Sequence, residues 1–169
     1  MRIKHTPNLT VIGLLFISFI SFLYSIKFLL FFSNLKFYNF ILFVHTYKSL
    51  DMDMHKKIAL DYPIIMYQLN IIGLSCSLIF LIFSYVFFRK ARKILYDFVI
   101  LFFMVAIFWY FDIFRFMGID FYGIVPFSLL KDLKLYFLVN GLIYLLLTIG
   151  IYVFIYWRQK KLDKRIRLQ

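Results

Sequence analysis

The sequence predicts an all-α, polytopic integral membrane protein: one membrane domain over residues 1–169, built as a four-transmembrane-helix bundle with both termini in the cytoplasm (N-in/C-in). Three observations predict it. Four apolar stretches, about 9–32, 64–88, 94–117 and 135–157, each exceed the ~20 residues that an α-helix needs to cross a hydrocarbon core of ~30 Å. The hydrophobic fraction of 64% lies well above the ~45–50% of soluble domains. Finally, 12 of the 20 Lys/Arg residues sit in three short segments beside span ends, which the positive-inside rule assigns to the cytoplasm.

Those segments are Arg2 and Lys4, the turn 89–93 with Arg89, Lys90, Arg92 and Lys93, and the tail 158–169. In the intervening segments, about 33–63 and 118–134, cations and carboxylates nearly cancel. Lys36, Lys48, Lys56 and Lys57 face Asp51, Asp53 and Asp61, and Lys131 and Lys134 face Asp120 and Asp132. Those two segments are expected outside. The net charge of +12 is thus accounted for by topology and by anionic headgroups of the lipid bilayer, and no nucleic-acid partner is expected. All eight acidic residues are Asp, beside 24 Phe and 13 Tyr, a usage that reads as an AT-rich genome. The expected location is a bacterial inner (plasma) membrane.

The first span carries Gly13, Ser18, Ser21 and Ser25 at separations that line one helix face, and small faces of this kind let helices approach closely. No A-x-A-like cleavage site follows it, so it reads as a retained span. Lys27, late in the span, reads as an anchor snorkelling to the outer headgroups. The segment from Leu35 to Tyr47 lies along the membrane surface or extends the first helix. Ser49 is an N-cap candidate for a short helix containing His55, and Pro63 opens the second span, since proline suits a first helical turn. That span holds Gln68, Asn70, Gly73, Ser75, Cys76 and Ser77, the most hydrogen-bonding set of the four, and is expected to be an interior helix.

The short turn 89–93 forces the second and third spans into an antiparallel hairpin. Asp97 falls four residues after Lys93, an ion-pair spacing. Near the end of the third span Asp112 and Arg115 are three apart on one face and can neutralise each other. Gly118 to Lys134 is expected to form a compact outer turn. The fourth span brings Asn140, Gly141, Thr148 and Gly150 and stops at Trp157. Trp109, Tyr110, Tyr136, Tyr152, Tyr156 and Trp157 fit aromatic belts at the two interfaces.

Catalytic chemistry finds no foothold in this pattern. His5, His45 and His55 all fall outside the spans and Cys76 is the single cysteine, so neither a metal set nor a thiol pair converges. Asp97 and Asp112 are fifteen residues apart, ~22 Å along one helix, too far to share a proton. No phosphate-cradling glycine motif appears. The chain reads as a non-enzyme without cofactor or metal. Residues singled out for partner binding are Gln68, Asn70, Asp112, Arg115 and Asn140, because polar groups in lipid reward a matching partner.

The layout resembles that of the immunity proteins that protect bacteria from pore-forming colicins of the A and B type. The resemblance rests on four spans with cytoplasmic ends, a moderate first outer segment, Pro63 shortly before the second span, the basic turn from Arg89 to Lys93, and a short basic C-terminus. It implies a protein that binds a toxin's pore-forming domain within the bilayer and blocks channel opening, without catalysis. The alternative expectation is a small transporter or an accessory subunit of a larger membrane complex.

Overall fold

The computed structural model describes residues 9–46, 52–88, 95–116 and 122–167, with side chains at 9–42, 62–86, 97–110 and 122–158. These residues are helical apart from short connections. In chain order the helices are α1 (Leu9–Ser33), α2 (Leu35–Thr46), α3 (Met52–Phe88), α4 (Leu95–Phe116), α5 (Phe127–Leu130) and α6 (Leu133–Arg167). Three are long and apolar enough to cross a membrane: Leu9–Ser33, Tyr62–Val86 within α3 and Leu133–Arg158 within α6. A shorter apolar stretch, Asp97–Tyr110, lies in α4, which continues past it to Phe116 through Asp112 and Arg115.

Hydrocarbon side chains cover the outside of this bundle. Ile71, Leu78, Ile82 and Phe83 of α3, Phe103 and Ile107 of α4, and Leu146, Ile149 and Val153 of α6 are all exposed. Water would penalise such a surface by roughly 25 cal/mol per Å², whereas lipid tails do not. With no hydrophobic force left to drive helices together, close packing and hydrogen bonds must hold them.

The most buried of the three long spans is α1, with α3 next. Of the most apolar window in each span, 44% is buried in α1 against 33% in α3 and 28% in α6. The reason is that α3 satisfies its polar groups locally: Ser77 and Ser84 donate from Oγ to the carbonyls of Gly73 and Phe80, both at 2.8 Å. Helix α1 instead offers aromatic surface on several sides. Phe19 packs edge-on against Phe80 of α3 and Phe108 of α4, while Phe28 meets Tyr136 and Tyr144 of α6.

The most extensive contact joins α1 to α6. The two run antiparallel, because Ser18 faces Thr148 while Ser25 faces Gly141. Ser25 Oγ donates to the Gly141 carbonyl at 2.9 Å, and Ser18 and Thr148 exchange long contacts of 3.5 Å with each other's carbonyls. Of the small residues on α1, Ser18, Ser21 and Ser25 are buried, whereas a Cβ on Gly13 would meet nothing within 4 Å. Gly13 therefore stands outside the close contact.

Helices α3 and α4 form the antiparallel hairpin expected from the short turn between them. Trp109 Nε1–H donates to Ser77 Oγ at 2.8 Å, and about two to three turns nearer the connection Tyr85 packs on Phe98. The turn itself, with Lys93 and its spacing to Asp97, lies outside the described residues, as does Ser49. Asp97 is buried.

Several boundaries differ from the sequence reading. Pro63 lies inside α3, not at its start. Proline forfeits only the one hydrogen bond to the carbonyl four residues earlier, and the chain from Met52 to Phe88 is otherwise free of helix-ending signals. Helix α6 likewise does not stop at Trp157 but runs through the basic segment to Arg167, since nothing in RQKKLDKRIR is glycine or proline. Leu35–Thr46 is a helix of its own, begun by Asn34: its Oδ1 accepts from the N–H groups of Lys36 and Phe37 at 3.0 and 3.4 Å, an N-cap that the sequence reading missed. Trp109, Tyr136 and Tyr152, assigned to aromatic belts from sequence, do not face outward from the bundle. All three are buried, and each spends its polar handle inside the bundle, as such groups must when removed from water. Tyr110, Tyr156 and Trp157 are exposed.

Candidate functional site

Helix α6 carries a ladder of polar side chains at intervals of four residues: Tyr136, Asn140, Tyr144, Thr148 and Tyr152. At 3.6 residues per turn each step advances about 40° beyond a full turn, so the ladder winds gradually around the helix. The upper three hold the connection before α5. Asn140 Oδ1 accepts from Val125 N–H at 2.9 Å, and its Nδ2 donates to the carbonyls of Val125 and Tyr136 at 3.1 and 3.0 Å. Tyr136 hydrogen-bonds the backbone of Gly123, and Tyr144 Oη donates to the Tyr122 carbonyl at 2.7 Å. Lower down, Tyr152 pairs with Ser84 of α3.

Gly123 is required under this ladder. A Cβ there would lie 2.6 Å from Tyr136 Oη and 2.9 Å from Asn140 Nδ2, inside any permitted contact. After the short α5, Lys131 takes the left-handed conformation at φ 55°. Asp132 then caps α6 by accepting from Lys134 N–H at 2.8 Å; as an anion at a helix N-terminus it also meets the favourable end of the macrodipole.

Of the five residues singled out from sequence, Asn140 is therefore fully buried and bonded to its own chain, where it organises the connection. Gln68 is half-buried; it lies nine residues from Ser77, about 180° around α3, on the side away from Trp109. Asn70 is different. It lies seven residues from Ser77, within about 20° of the same face, and its Oδ1 is buried without a hydrogen-bond partner among the described residues. A buried polar atom left unpaired costs about 1–3 kcal/mol.

Asp112 and Arg115 belong to the same end of the hairpin. The Ser77–Trp109 bond fixes the register: Asn70 lies ~10 Å beyond Ser77 toward the end of the bundle that carries α2 and α5, while Asp112 and Arg115 lie ~4.5 and ~9 Å beyond Trp109 in the same direction. By helical spacing both fall on the side of α4 that carries buried Asp97, Leu101 and Val105 and half-buried Phe108; their own side chains lie outside the described residues.

Lys27 is not an interfacial anchor. It is 0% exposed, and its Nζ lies 6.0 Å from the ring centre of Tyr24, one turn back toward the middle of α1. Helical side chains lean toward the N-terminus, so a lysine near the C-terminal end of α1 points away from that end unless it bends against this lean. The signal available in the sequence was the spacing Phe16, Ile20, Leu23, Lys27, which puts the lysine on an apolar stripe instead of a polar edge.

The class that the fold defines is a helical protein of membrane type, whose polar constellation toward the α2/α5 end consists of Asn70 on α3 and the positions of Asp112 and Arg115 on α4. Among the described residues, no group of three or more His, Cys, Asp or Glu side chains is placed to hold a metal ion. Compared with family models, curated proteins and solved structures, the chain matches none.

Proposed function

We propose that this chain is a four-span protein of the bacterial inner membrane, with both ends in the cytoplasm, that acts as an immunity protein by binding the pore-forming domain of a bacteriocin within the bilayer. The observation that carries the reading is the Asn70 amide oxygen, buried and without a hydrogen-bond partner among the described residues, toward the end of the hairpin where α4 carries Asp112 and Arg115. A group of that kind in a bilayer rewards a helix that brings a donor and penalises one that does not. The α4 helix, at 22 residues, is ~33 Å long and supplies the fourth span. The basic segments then lie on one side of the membrane, and the α2/α5 end, with the polar constellation, faces outward, where a toxin arrives.

Arg115→Ala or Asp112→Ala is expected to weaken protection against the cognate toxin by tenfold or more while the protein still inserts; losing one hydrogen bond to a charged group, worth about 1.5–3 kcal/mol, corresponds to a change of that order. Survival of toxin-challenged cells at matched membrane levels of each variant measures it, and unchanged protection by both variants would remove these residues from the interface. The DNA flanking the reading frame supplies the toxin: a neighbouring gene for a long protein ending in a hydrophobic helical hairpin is the expected finding. A transport or envelope operon there would point to an accessory subunit instead.

A further inference from the structure

The contact between α1 and α6 loosens along its length. At Gly141 it is tight, with Ser25 Oγ donating to the carbonyl at 2.9 Å, whereas the contacts exchanged by Ser18 and Thr148 are 3.5 Å long. On the flank of this contact a groove of about 470 Å³ runs beside α6, lined by Ile143, Leu147, Gly150, Ile151 and Phe154, and meets α1 at Leu14. Gly150 keeps it open, since a Cβ there would meet nothing within 4 Å. Leu147 and Phe154 are exposed in it.

In a bilayer an apolar groove is filled either by a lipid tail or by another helix, and shape and charge both favour the tail. From Ile143 to Phe154 the groove follows α6 for ~16 Å, so that its volume corresponds to a mean cross-section of roughly 30 Å², about a third of that of a helix ~10–12 Å across. The five lining positions of α6 fall within about 100° around the helix, and Arg158, one turn past Phe154, falls inside the same arc. Arg158 is exposed and closes the apolar span. Helix α6 then continues to Arg167, and from Arg158 to Arg167 the chain holds six Lys/Arg against one carboxylate, Asp163.

Tails alone give little selectivity, because one hydrocarbon chain replaces another without hydrophobic gain. Selection falls to the headgroup. A guanidinium fork matches a phosphate, and a surplus of cations beside a membrane span favours lipids of net negative charge. We propose that α1 and α6 retain one anionic phospholipid, with an acyl chain in the groove over Gly150 and its phosphate at Arg158. This site lies on the other end of the bundle from the constellation of Asn70, Asp112 and Arg115, and it does not depend on the toxin-binding reading.

The test is native mass spectrometry of the full chain released from nanodiscs of equal phosphatidylcholine and phosphatidylglycerol with matched acyl chains. The wild-type chain is expected to carry one phosphatidylglycerol, favoured over phosphatidylcholine by about fivefold. Gly150→Leu, which fills the groove, should lose that lipid while its unfolding in lipid-free detergent stays close to wild type. Arg158→Gln should bind the two lipids equally. A wild-type chain that carries no lipid, or both lipids equally, would overturn the proposal, as would full phosphatidylglycerol occupancy in Gly150→Leu. Pairing of two chains that Gly150→Leu abolishes would place a second copy in the groove and also overturn it. Should Gly150→Leu fail to accumulate, Leu14→Phe fills the same groove from α1: loss of the lipid supports the site, and retention refutes it.

Discussion

Gly141→Leu is expected to separate α1 from α6 and cost the bundle about 3 kcal/mol, at the upper end of ordinary overpacking. Even a single Cβ at this position would lie 2.9 Å from both Cγ and Cδ2 of Leu29 and 3.3 Å from Phe28 Cβ, so the neighbour's branch point, not a flexible tip, would have to move. Glycine in a helix interior forfeits about 1 kcal/mol of propensity relative to alanine in water, a gain too small to offset that collision. The same residue's carbonyl accepts the Ser25 hydroxyl at 2.9 Å, so widening the gap also breaks a buried hydrogen bond. Gly150→Leu is the control, on the same helix nine residues on, where a Cβ meets nothing within 4 Å. Unfolding by a denaturing detergent should shift strongly for the first and little for the second; equal shifts would mean that α1 and α6 are not held by this contact.

Asn140→Ala should free the connection before α5 at a cost of about 2–3 kcal/mol. The substitution removes three hydrogen bonds and leaves the Val125 N–H and carbonyl without their partner, and the penalty for orphaned groups exceeds the net worth of the bonds themselves. Proteolysis at Tyr122–Pro126 should accelerate, while α6 still inserts. Asn140→Asp, which keeps the acceptor for Val125 N–H but loses the donor, should fall between. An unaltered rate of cleavage in the alanine variant would show that Tyr136 and Tyr144 suffice to dock the connection.

How much of this was legible in the sequence differs from element to element. The lengths of α1 and of the apolar parts of α3 and α6 follow from uninterrupted apolar runs, because lipid leaves a backbone no partner but itself. The hairpin of α3 and α4 followed from the shortness of the turn. Helix ends were harder to place, since Pro63 and the basic tail look like stops, yet neither adds a glycine or a second proline that would enforce one. The roles of polar residues were least legible. Tyr136, Asn140, Tyr144, Thr148 and Tyr152 repeat every four residues, a spacing that makes neighbours of successive members along α6, but their identities also suit membrane interfaces and partner binding. Only contacts with α1 and the Tyr122–Val125 segment decide between these. Lys27 is the clearest case: composition favours the headgroups, whereas helix face and side-chain lean favour the interior.

Loss of Arg115 should appear in protection against the toxin while the stability of the purified protein holds.

The most direct measurement of the central claim is membrane potential, followed with a voltage-sensitive dye in bacteria with and without this chain during challenge by pore-forming colicins and by any such toxin encoded beside the reading frame. The account predicts that one toxin depolarises control cells but not cells making the chain, and that Arg115→Ala restores depolarisation at the same membrane level. Equal depolarisation of both cell types by every toxin would contradict it.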